Sequence, residues 1–338
     1  MRRHEKDFKR RLNTSLEFPL DWLKDDLITS RAHGSQPPDE DHPSVLYHYT
    51  TTAGISSILS SQKLWVTDVE FLNDSQELSY AGSRLMRILD VEVEHLAALV
   101  GVEHGYYDNP KVTGELYSRM DLRERWGRHK QPDPREAEHA LGALQRVRRS
   151  LYQMDELLPS TPLHVYVACF CEEGDLLSQW RGYGGAGGYS VGFNRGALRG
   201  VTEGHSRGEF MKICYDFRDA VEFFASEFFP EYLHRGITLM DDYLKPLTMI
   251  KNPAFREERE WRIMVPREEI LDDVKFRAGP IGVTPYIEIQ FAPEAVSDVI
   301  VGPGNSSNER MSGIRQLLDR HHMEHVDVQP SKASLRLS

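Results

Sequence analysis

Three features are scarce or missing in this chain of 338 residues, and each absence removes a class of protein. No run approaches the roughly eighteen apolar residues that a membrane helix needs, and residues 1–4 lead into charged sequence rather than a signal-peptide core. The chain has 3 cysteines, too few for a disulfide scaffold or a four-thiolate zinc site. We therefore predict a cytoplasmic protein with reduced thiols and no membrane partner.

The chain also lacks an excess of positively charged residues. The chain carries 41 Lys and Arg against 52 Asp and Glu, a formal net charge of -11. This balance argues against a broad, sequence-independent grip on a nucleic-acid backbone, although it leaves local basic patches open.

The order of composition along the chain predicts a core that is interrupted once. Residues 1–43 form an N-terminal extension and linker, and residues 44–100 form the first part of the core. Residues 101–162 are Arg-, Glu- and His-rich and are predicted to be a helical insertion, and residues 163–338 complete the core. The basic and aromatic residues of the insertion could face RNA or DNA, but the interleaved acidic residues favour a solvated helical face.

The predicted strands point to an α+β fold. Strands at 260–265, 286–291 and 296–301 follow one another without regular crossover helices. This pattern favours antiparallel sheets with flanking helices over a doubly wound parallel sheet.

The segment that carries Glu260 is predicted to be a helical turn that runs into a strand. Asn252 can cap the turn and Pro253 can open it. On the strand, Glu260, Arg262 and Met264 then share one face. A carboxylate fixed on rigid scaffold is a catalytic candidate. The alternative is a surface ion pair of Glu260 with Arg262 or with Arg259.

The glycine-rich segment 177–188 is the second candidate site. Gly182, Gly184 and Gly187 match a dinucleotide fingerprint, but they lead into a strand rather than a helix, which argues against a Rossmann fold. Beside them lie two aromatic residues for stacking and Arg181 for a planar grip on phosphate. The alternative is a flexible hairpin loop beside a core tryptophan.

Five segments carry a resemblance to a known family: 46–50, 72–74, 175–183, 191–193 and 255–262. Through them the chain resembles a bacterial domain-of-unknown-function family. The shared motifs read Leu-Tyr-His-Tyr-Thr, Leu-Asn-Asp, Ser-Gln-Trp-Arg-x-Tyr, Val-Gly-Phe and Glu-Trp-Arg. That family is placed among ADP-ribosyltransferase-like folds. The resemblance implies a split, mostly antiparallel β-sandwich with NAD in the cleft between its halves.

The resemblance also implies roles for individual residues. His48 would lie on the adenosine-side ribose, Trp180 or Tyr183 near nicotinamide, and Glu260 on the nicotinamide ribose as the catalytic carboxylate. Glu258 would serve the acceptor substrate. The expected NAD-binding residues are His48, Tyr49, Thr50, Ser178, Trp180, Arg181 and Tyr183. As alternatives, His48 is a core histidine bonded to the backbone, and Thr50 is a helix-entry cap. The strand from Val45 to Tyr49 is predicted to lead into a helix that Thr51 or Thr52 caps.

The chemistry of nicotinamide release suits these residue types. Breaking the bond between nicotinamide and ribose passes through a cationic, oxocarbenium-like state that a fixed carboxylate stabilises. NAD is the substrate in this reaction and no metal is required. The cluster His321, His322 and His325 has metal-like spacing, but its place near a helix end favours a structural role.

Three functions remain open from the sequence. The first is an ADP-ribosyltransferase that modifies RNA, DNA or protein, as a bacterial toxin or anti-phage effector with a neutralising antitoxin partner. The second is a nucleotide-binding sensor or interaction module without transfer activity. The third is a hydrolase or nuclease that uses Glu258, Glu260 and Asp74 as acids or metal ligands.

Overall fold

The structure, a computed structural model, describes most of the predicted core. The described residues are 42–72, 77–99, 165–184, 187–203, 208–215, 247–266, 273–279 and 282–333, with single positions between 142 and 153. Asp74, named above as a candidate acid or metal ligand, and most of the predicted insertion lie outside them.

The chain divides into two compact units. One contains Pro37–Met86, Leu151–Val221 and Ile237–Ser338, and the other contains Arg87–Ser150 and the remaining segments. All the candidate site residues belong to the first unit. In the second unit, Arg148 forms an ion pair with Asp90.

Ten strands and four helices make up the larger elements of the described residues. The strands are β1 Val45–Thr50, β2 Lys63–Asp68, β3 Val165–Cys171, β4 Tyr189–Asn194, β5 Glu209–Lys212, β6 Glu260–Pro266, β7 Lys275–Gly279, β8 Gly282–Gln290, β9 Val296–Val301 and β10 Asp327–Pro330. The helices are α1 Thr52–Ser61, α2 Glu77–Leu99, α3 Arg195–Glu203 and α4 Ser307–Arg320. Shorter helical turns cover Val69–Phe71, Leu177–Gln179, Trp180–Gly184, Pro253–Glu258 and Pro293–Ala295.

The strands join into one open sheet that forks at β3. Strand β6 pairs with β3 along its whole length, from Val165 to Cys171. On the other edge of β3, β1 pairs only at Cys171, whereas β2 pairs at Tyr166 and Val167. One branch therefore continues through β1, β4, β9 and β10, and the other continues through β2, β8 and β7.

The pairing confirms the predicted α+β class with a mostly antiparallel sheet. Only the β9–β10 pair is parallel among the strand pairs of the described residues. Sequence reasoning did not predict β5, β7 or α3, because these are short or strongly polar segments without a clear period.

The two faces of the sheet differ in character. The face that we call the core face carries the main apolar cluster, covered by Ile55 and Leu59 of α1 and by Ile314 and Leu318 of α4. The opposite face, which we call the site face, carries Glu260 and Cys171, which are cross-strand partners. Side chains of directly paired residues point to the same side, so the registers fix which residues share a face.

Candidate functional site

Glu260 lies where a helical turn passes into strand β6, as the sequence predicts. The side chain of Asn252 accepts a hydrogen bond from the Ala254 amide at 3.0 Å, and Pro253 opens the turn. Arg259 ends it in the left-handed conformation, with φ of 42°. The backbone therefore turns sharply just before Glu260, which fixes the direction of its side chain.

Both carboxylate oxygens of Glu260 are held by cations. Arg262 donates from Nε to Oε1 at 2.5 Å and from Nη2 to Oε2 at 3.2 Å. The ammonium of Lys251 donates to Oε2 at 2.7 Å and to Glu258 Oε2 at 2.6 Å. Glu260 and Arg262 are each 1% exposed. The predicted ion pair between Glu260 and Arg262 exists, but it is buried rather than at the surface.

The surrounding groups complete this buried cluster. Arg262 Nη1 donates to the Thr248 carbonyl at 2.8 Å, and the Glu260 amide donates to the Tyr215 hydroxyl at 2.9 Å. Because Met264 accepts a hydrogen bond from Thr248, the predicted alternation of Glu260, Arg262 and Met264 on one face is confirmed. The cluster is therefore built from three separate stretches of the chain.

The two carboxyl groups of this cluster have pKa values displaced in opposite directions. Burial raises the pKa of Glu260, but the charges and hydrogen bonds of Arg262 and Lys251 outweigh it and lower that pKa to about 2. Burial raises the pKa of Glu258 above its ordinary value in spite of Lys251. Glu260 is therefore ionised at neutral pH, and Glu258 is the member that more readily accepts a proton.

This difference gives a pH prediction for stability. The depressed pKa of Glu260 contributes stability that is present above the ordinary value of 4.5 and is lost as the pH falls towards about 2. We expect the difference in unfolding free energy between the wild type and Glu260→Gln to shrink across that window. Urea unfolding at several pH values checks this, and a difference that stays constant from pH 5 to pH 2 contradicts it.

Segment 177–184 brings a second set of predicted residues to the cluster. The side chain of Gln179 donates a hydrogen bond to Glu258. The residue Tyr183 as a whole is 40% exposed, but its hydroxyl end is buried. That burial, followed by the charges of Cys169, Glu260 and Glu258, raises the pKa of Tyr183. Tyr183 therefore provides an aromatic wall beside the two carboxylates.

Trp180 and Tyr49 are buried and held by contacts within the protein, which does not favour the predicted ligand contacts of either residue. Trp180 is 1% exposed, and its indole donates to Asp175 at 2.7 Å. The Tyr49 ring packs edge-on against Trp180 at 4.8 Å, and its hydroxyl both donates to the Glu173 carbonyl and accepts from the Leu176 amide. Neither ring has a free face for a ligand, so the alternative of a core tryptophan is confirmed.

Gly187 and Gly188 of this segment are required by the backbone, whereas a Cβ on Gly182 would meet nothing within 4 Å. A Cβ on Gly188 would lie 2.2 Å from the Gly184 Cα, and Gly187 has φ of +119°, a conformation that favours glycine. The close approach is thus made to the protein's own backbone rather than to a ligand.

His48 and Glu260 are linked through Cys169 but do not share a face. The register places Tyr47 on the site face, so strand alternation places His48 on the core face, where its ring packs against Phe170. Nδ1 of His48 donates to the Cys169 carbonyl at 2.9 Å, which matches the alternative of a histidine bonded to the backbone. The Cys169 thiol faces Glu260, since burial and then the Glu260 charge raise the pKa of the thiol. His48 therefore lies at the fork of the sheet, and Cys169 lies between it and Glu260.

The remaining predicted residues are spread around the site. Arg181 is exposed on the turn, and the Ser178 hydroxyl is buried without a hydrogen bond to any described residue. The Thr50 hydroxyl lies against Gly54, whereas the cap of α1 is Thr51, whose side chain accepts from the Gly54 amide at 3.2 Å. Of the two caps predicted for the helix, Thr51 is confirmed, and the alternative of a cap at Thr50 is wrong.

Sequence reasoning missed Lys251 and Tyr215. Lys251 is placed by the backbone, because its amide donates to the Cys214 carbonyl and its neighbour Ile250 bridges to Cys214. A lysine directly before a predicted capping asparagine was the available signal, but nothing in the sequence indicated that it turns back towards Glu260.

Two negative findings concern the described residues. No group of three His, Cys, Asp or Glu side chains there has the geometry of a metal site, and His325 instead bonds to the Val296 carbonyl. None of the described helices combines the length and apolarity that a bilayer crossing needs. The three cysteines are free thiols, of which Cys171 is buried and Cys169 and Cys214 are half-buried.

Comparison with known proteins gives one match. Residues 179–263, about a quarter of the chain, match a family described as protein of unknown function (DUF2971). No curated protein and no solved structure matches the chain. The matched segment contains Gln179, Tyr183, Lys251, Glu258 and Glu260, so the buried cluster falls within the region of similarity.

Proposed function

We propose that the protein is an NAD-dependent ADP-ribosyltransferase that transfers ADP-ribose to a macromolecular acceptor. The observation that carries the proposal is the fixed, ionised carboxylate of Glu260 beside Glu258 and the exposed ring of Tyr183. The open, forked sheet is compatible with the split sandwich of ADP-ribosyltransferases that the sequence motifs imply.

Glu260 would act on the transition state. As the bond from ribose C1′ to nicotinamide breaks, the electron pair leaves with nicotinamide and positive charge develops on the ribose. An ionised carboxylate whose direction is fixed by Arg262 would stabilise that charge once its Oε2 is accessible. Its low pKa keeps it ionised at every physiological pH.

Access to Glu260 requires Lys251 to release Oε2. The ammonium of Lys251 keeps a second partner in Glu258, at 2.6 Å, so it stays paired when the bond to Glu260 breaks. Ribose hydroxyls would then take the place of Lys251 on Oε2. In this scheme Glu258, with its raised pKa, accepts the proton of the acceptor nucleophile as the bond to C1′ forms.

Other residues would position the dinucleotide. Tyr183, an exposed aromatic, can stack on nicotinamide in place of the buried Trp180. Arg181, exposed on the same turn, is available to a phosphate. His48 lies on the core face, away from Glu260, and takes no part in this scheme.

The acceptor would be a nucleic acid or a protein, and a toxin or anti-phage role would follow from modifying an essential one. A direct test incubates the protein with NAD and with protein, RNA and DNA acceptors, and measures free nicotinamide and ADP-ribose adducts by mass spectrometry. We expect nicotinamide and adducts to appear in equal amounts with one acceptor class. Absence of NAD binding by calorimetry would overturn the proposal.

A nucleotide-binding sensor is the second candidate. It is favoured because cations of the protein itself already hold the Glu260 carboxylate. Both oxygens of Glu260 are occupied by internal cations, and the group is almost fully buried. A sensor would bind NAD without releasing nicotinamide in the presence of any acceptor. The same experiment therefore separates the two functions.

The hydrolase or nuclease hypothesis is weakened, because two of its three residues, Glu258 and Glu260, pair with Lys251. The ammonium of Lys251 lies between Glu258 and Glu260, where the two carboxylates would need to share a metal or a water. The third residue, Asp74, lies outside the described residues.

A further inference from the structure

A cluster of cations lies on strands β2, β7 and β8, which form the branch of the sheet that does not contain β1. Lys63 and Lys275 both pair with the carboxylate of Glu288, and Arg277 lies two residues along β7 from Lys275. The two lysines bond to the same oxygen of Glu288, Oε2, at 2.9 and 2.8 Å. The cluster therefore has an excess of positive charge, although the chain as a whole has a formal net charge of -11.

Arg277 is the cation of this cluster that lacks an acidic partner. Its Nη2 donates to the Thr67 hydroxyl at 2.9 Å, and its Nε is buried without a hydrogen bond. Within the part of the chain that the structure describes, no carboxylate pairs with it, and Glu288 pairs with Lys63 and Lys275 instead. A half-buried, unpaired charge is unfavourable unless a ligand compensates it.

The Arg277 side chain is held in place by two aromatic rings. Its guanidinium carbon lies 5.0 Å from the centroid of Trp65 and 5.8 Å from that of Tyr286. These contacts and the Thr67 hydroxyl restrict the planar group before any ligand binds. Pre-organisation of this kind lowers the entropy lost on binding.

The registers place Arg277 on the same face of the sheet as Glu260. Met264 of β6 pairs with Val167, which pairs with Thr67. Thr67 pairs with Tyr286, which pairs with Lys275, so Arg277 two residues further along points to the same side. A ligand bound at Arg277 would therefore lie on the site face.

We propose that Arg277, oriented by Trp65, Tyr286 and Thr67 and flanked by Lys63 and Lys275, forms an anion site that binds a phosphate group. A guanidinium presents parallel N–H donors that match two phosphate oxygens. The surplus positive charge suits a phosphate diester or pyrophosphate better than a neutral ligand. Such binding is independent of transfer activity, whereas the assignment of the phosphate to NAD or to an acceptor rests on the proposed function.

Calorimetry of the full chain with inorganic pyrophosphate tests the site. We expect Arg277→Gln to weaken binding by roughly tenfold to a hundredfold, because a charged hydrogen-bonding group is lost. Arg320→Gln is the matched control, since it removes the same charge from the exposed end of α4, a helix that packs on the core face. Equal affinity in Arg277→Gln and Arg320→Gln would overturn the proposal.

Two further variants keep the test valid when Arg277→Gln does not fold. Arg277→Lys keeps the charge but not the planar fork, so we expect partial retention of affinity. Thr67→Val removes the hydroxyl that orients Arg277, and we expect binding to weaken several-fold while the melting temperature changes little. If pyrophosphate binds Thr67→Val and Arg277→Lys as tightly as wild type, the site is not the one that binds it.

Binding of two more probes, ADP-ribose and a single-stranded oligonucleotide, identifies which kind of molecule supplies the phosphate. Selective loss of ADP-ribose affinity in Arg277→Gln assigns the site to the dinucleotide, and selective loss of oligonucleotide affinity assigns it to a nucleic-acid backbone. Loss of neither contradicts a phosphate site. These are binding measurements, so their result can be interpreted even when the proposed transfer reaction does not occur.

Discussion

Glu260→Gln is expected to lower nicotinamide release from NAD by roughly a hundredfold or more, because it removes the charge that stabilises the oxocarbenium-like state. Glutamine keeps the size of the side chain and can still accept a hydrogen bond from Arg262. Nicotinamide is measured by chromatography under conditions where circular dichroism shows the variant to be folded.

The matched control for this prediction is Glu309→Gln, which makes the same chemical change at an exposed position of α4. We expect Glu309→Gln to release nicotinamide at the wild-type rate. A wild-type rate in folded Glu260→Gln protein would show that Glu260 is not the catalytic carboxylate.

Arg262→Met is expected to destabilise the fold by about 3–5 kcal/mol, because it leaves a buried carboxylate without its main partner. Arg262 forms two hydrogen bonds to Glu260 and one to the Thr248 carbonyl, and it is among the largest fully buried side chains of the described residues. Lys251 would remain, but it is shared with Glu258. Urea unfolding at neutral pH measures the change.

The double variant Glu260→Gln/Arg262→Met isolates the interaction between the two groups. It removes one charge of each sign and leaves Lys251 paired with Glu258. We expect it to be more stable than Arg262→Met alone, since the remaining cluster is balanced. Simple addition of the two single effects would contradict the buried ion cluster as the source of the stability.

The local structure around Glu260 could be predicted because its determinants are close in sequence. A capping asparagine, a proline at the start of a turn and an alternating strand act over a few residues, and all three are present from Asn252 to Met264. The same holds for the strand that carries His48 and for the helix after it, which Thr51 caps as predicted.

Burial of the aromatic residues could not be predicted in the same way. Trp180 and Tyr183 are three residues apart in one motif, yet Trp180 is buried against Tyr49 and Tyr183 is exposed beside Glu258. The difference arises from the π-helical turn Trp180–Gly184 and from Asp175, which fixes the indole. No periodicity in the sequence specifies which ring is presented to solvent.

The sequence by itself determined that this is an α+β chain with a mostly antiparallel sheet and with Glu260, Arg262 and Met264 on one strand face, because hydrophobic alternation and turn chemistry are local properties. Only the tertiary structure decided the electrostatic state of the candidate site. Pairing of β3 with β6, together with the backbone contacts at Cys214, brings Lys251 between Glu258 and Glu260. Pairing of β2, β8 and β7 likewise leaves Arg277 without an acidic partner among the described residues. Charges that are distant in sequence interact strongly only when folding removes the water between them, so their pairing is a property of the fold.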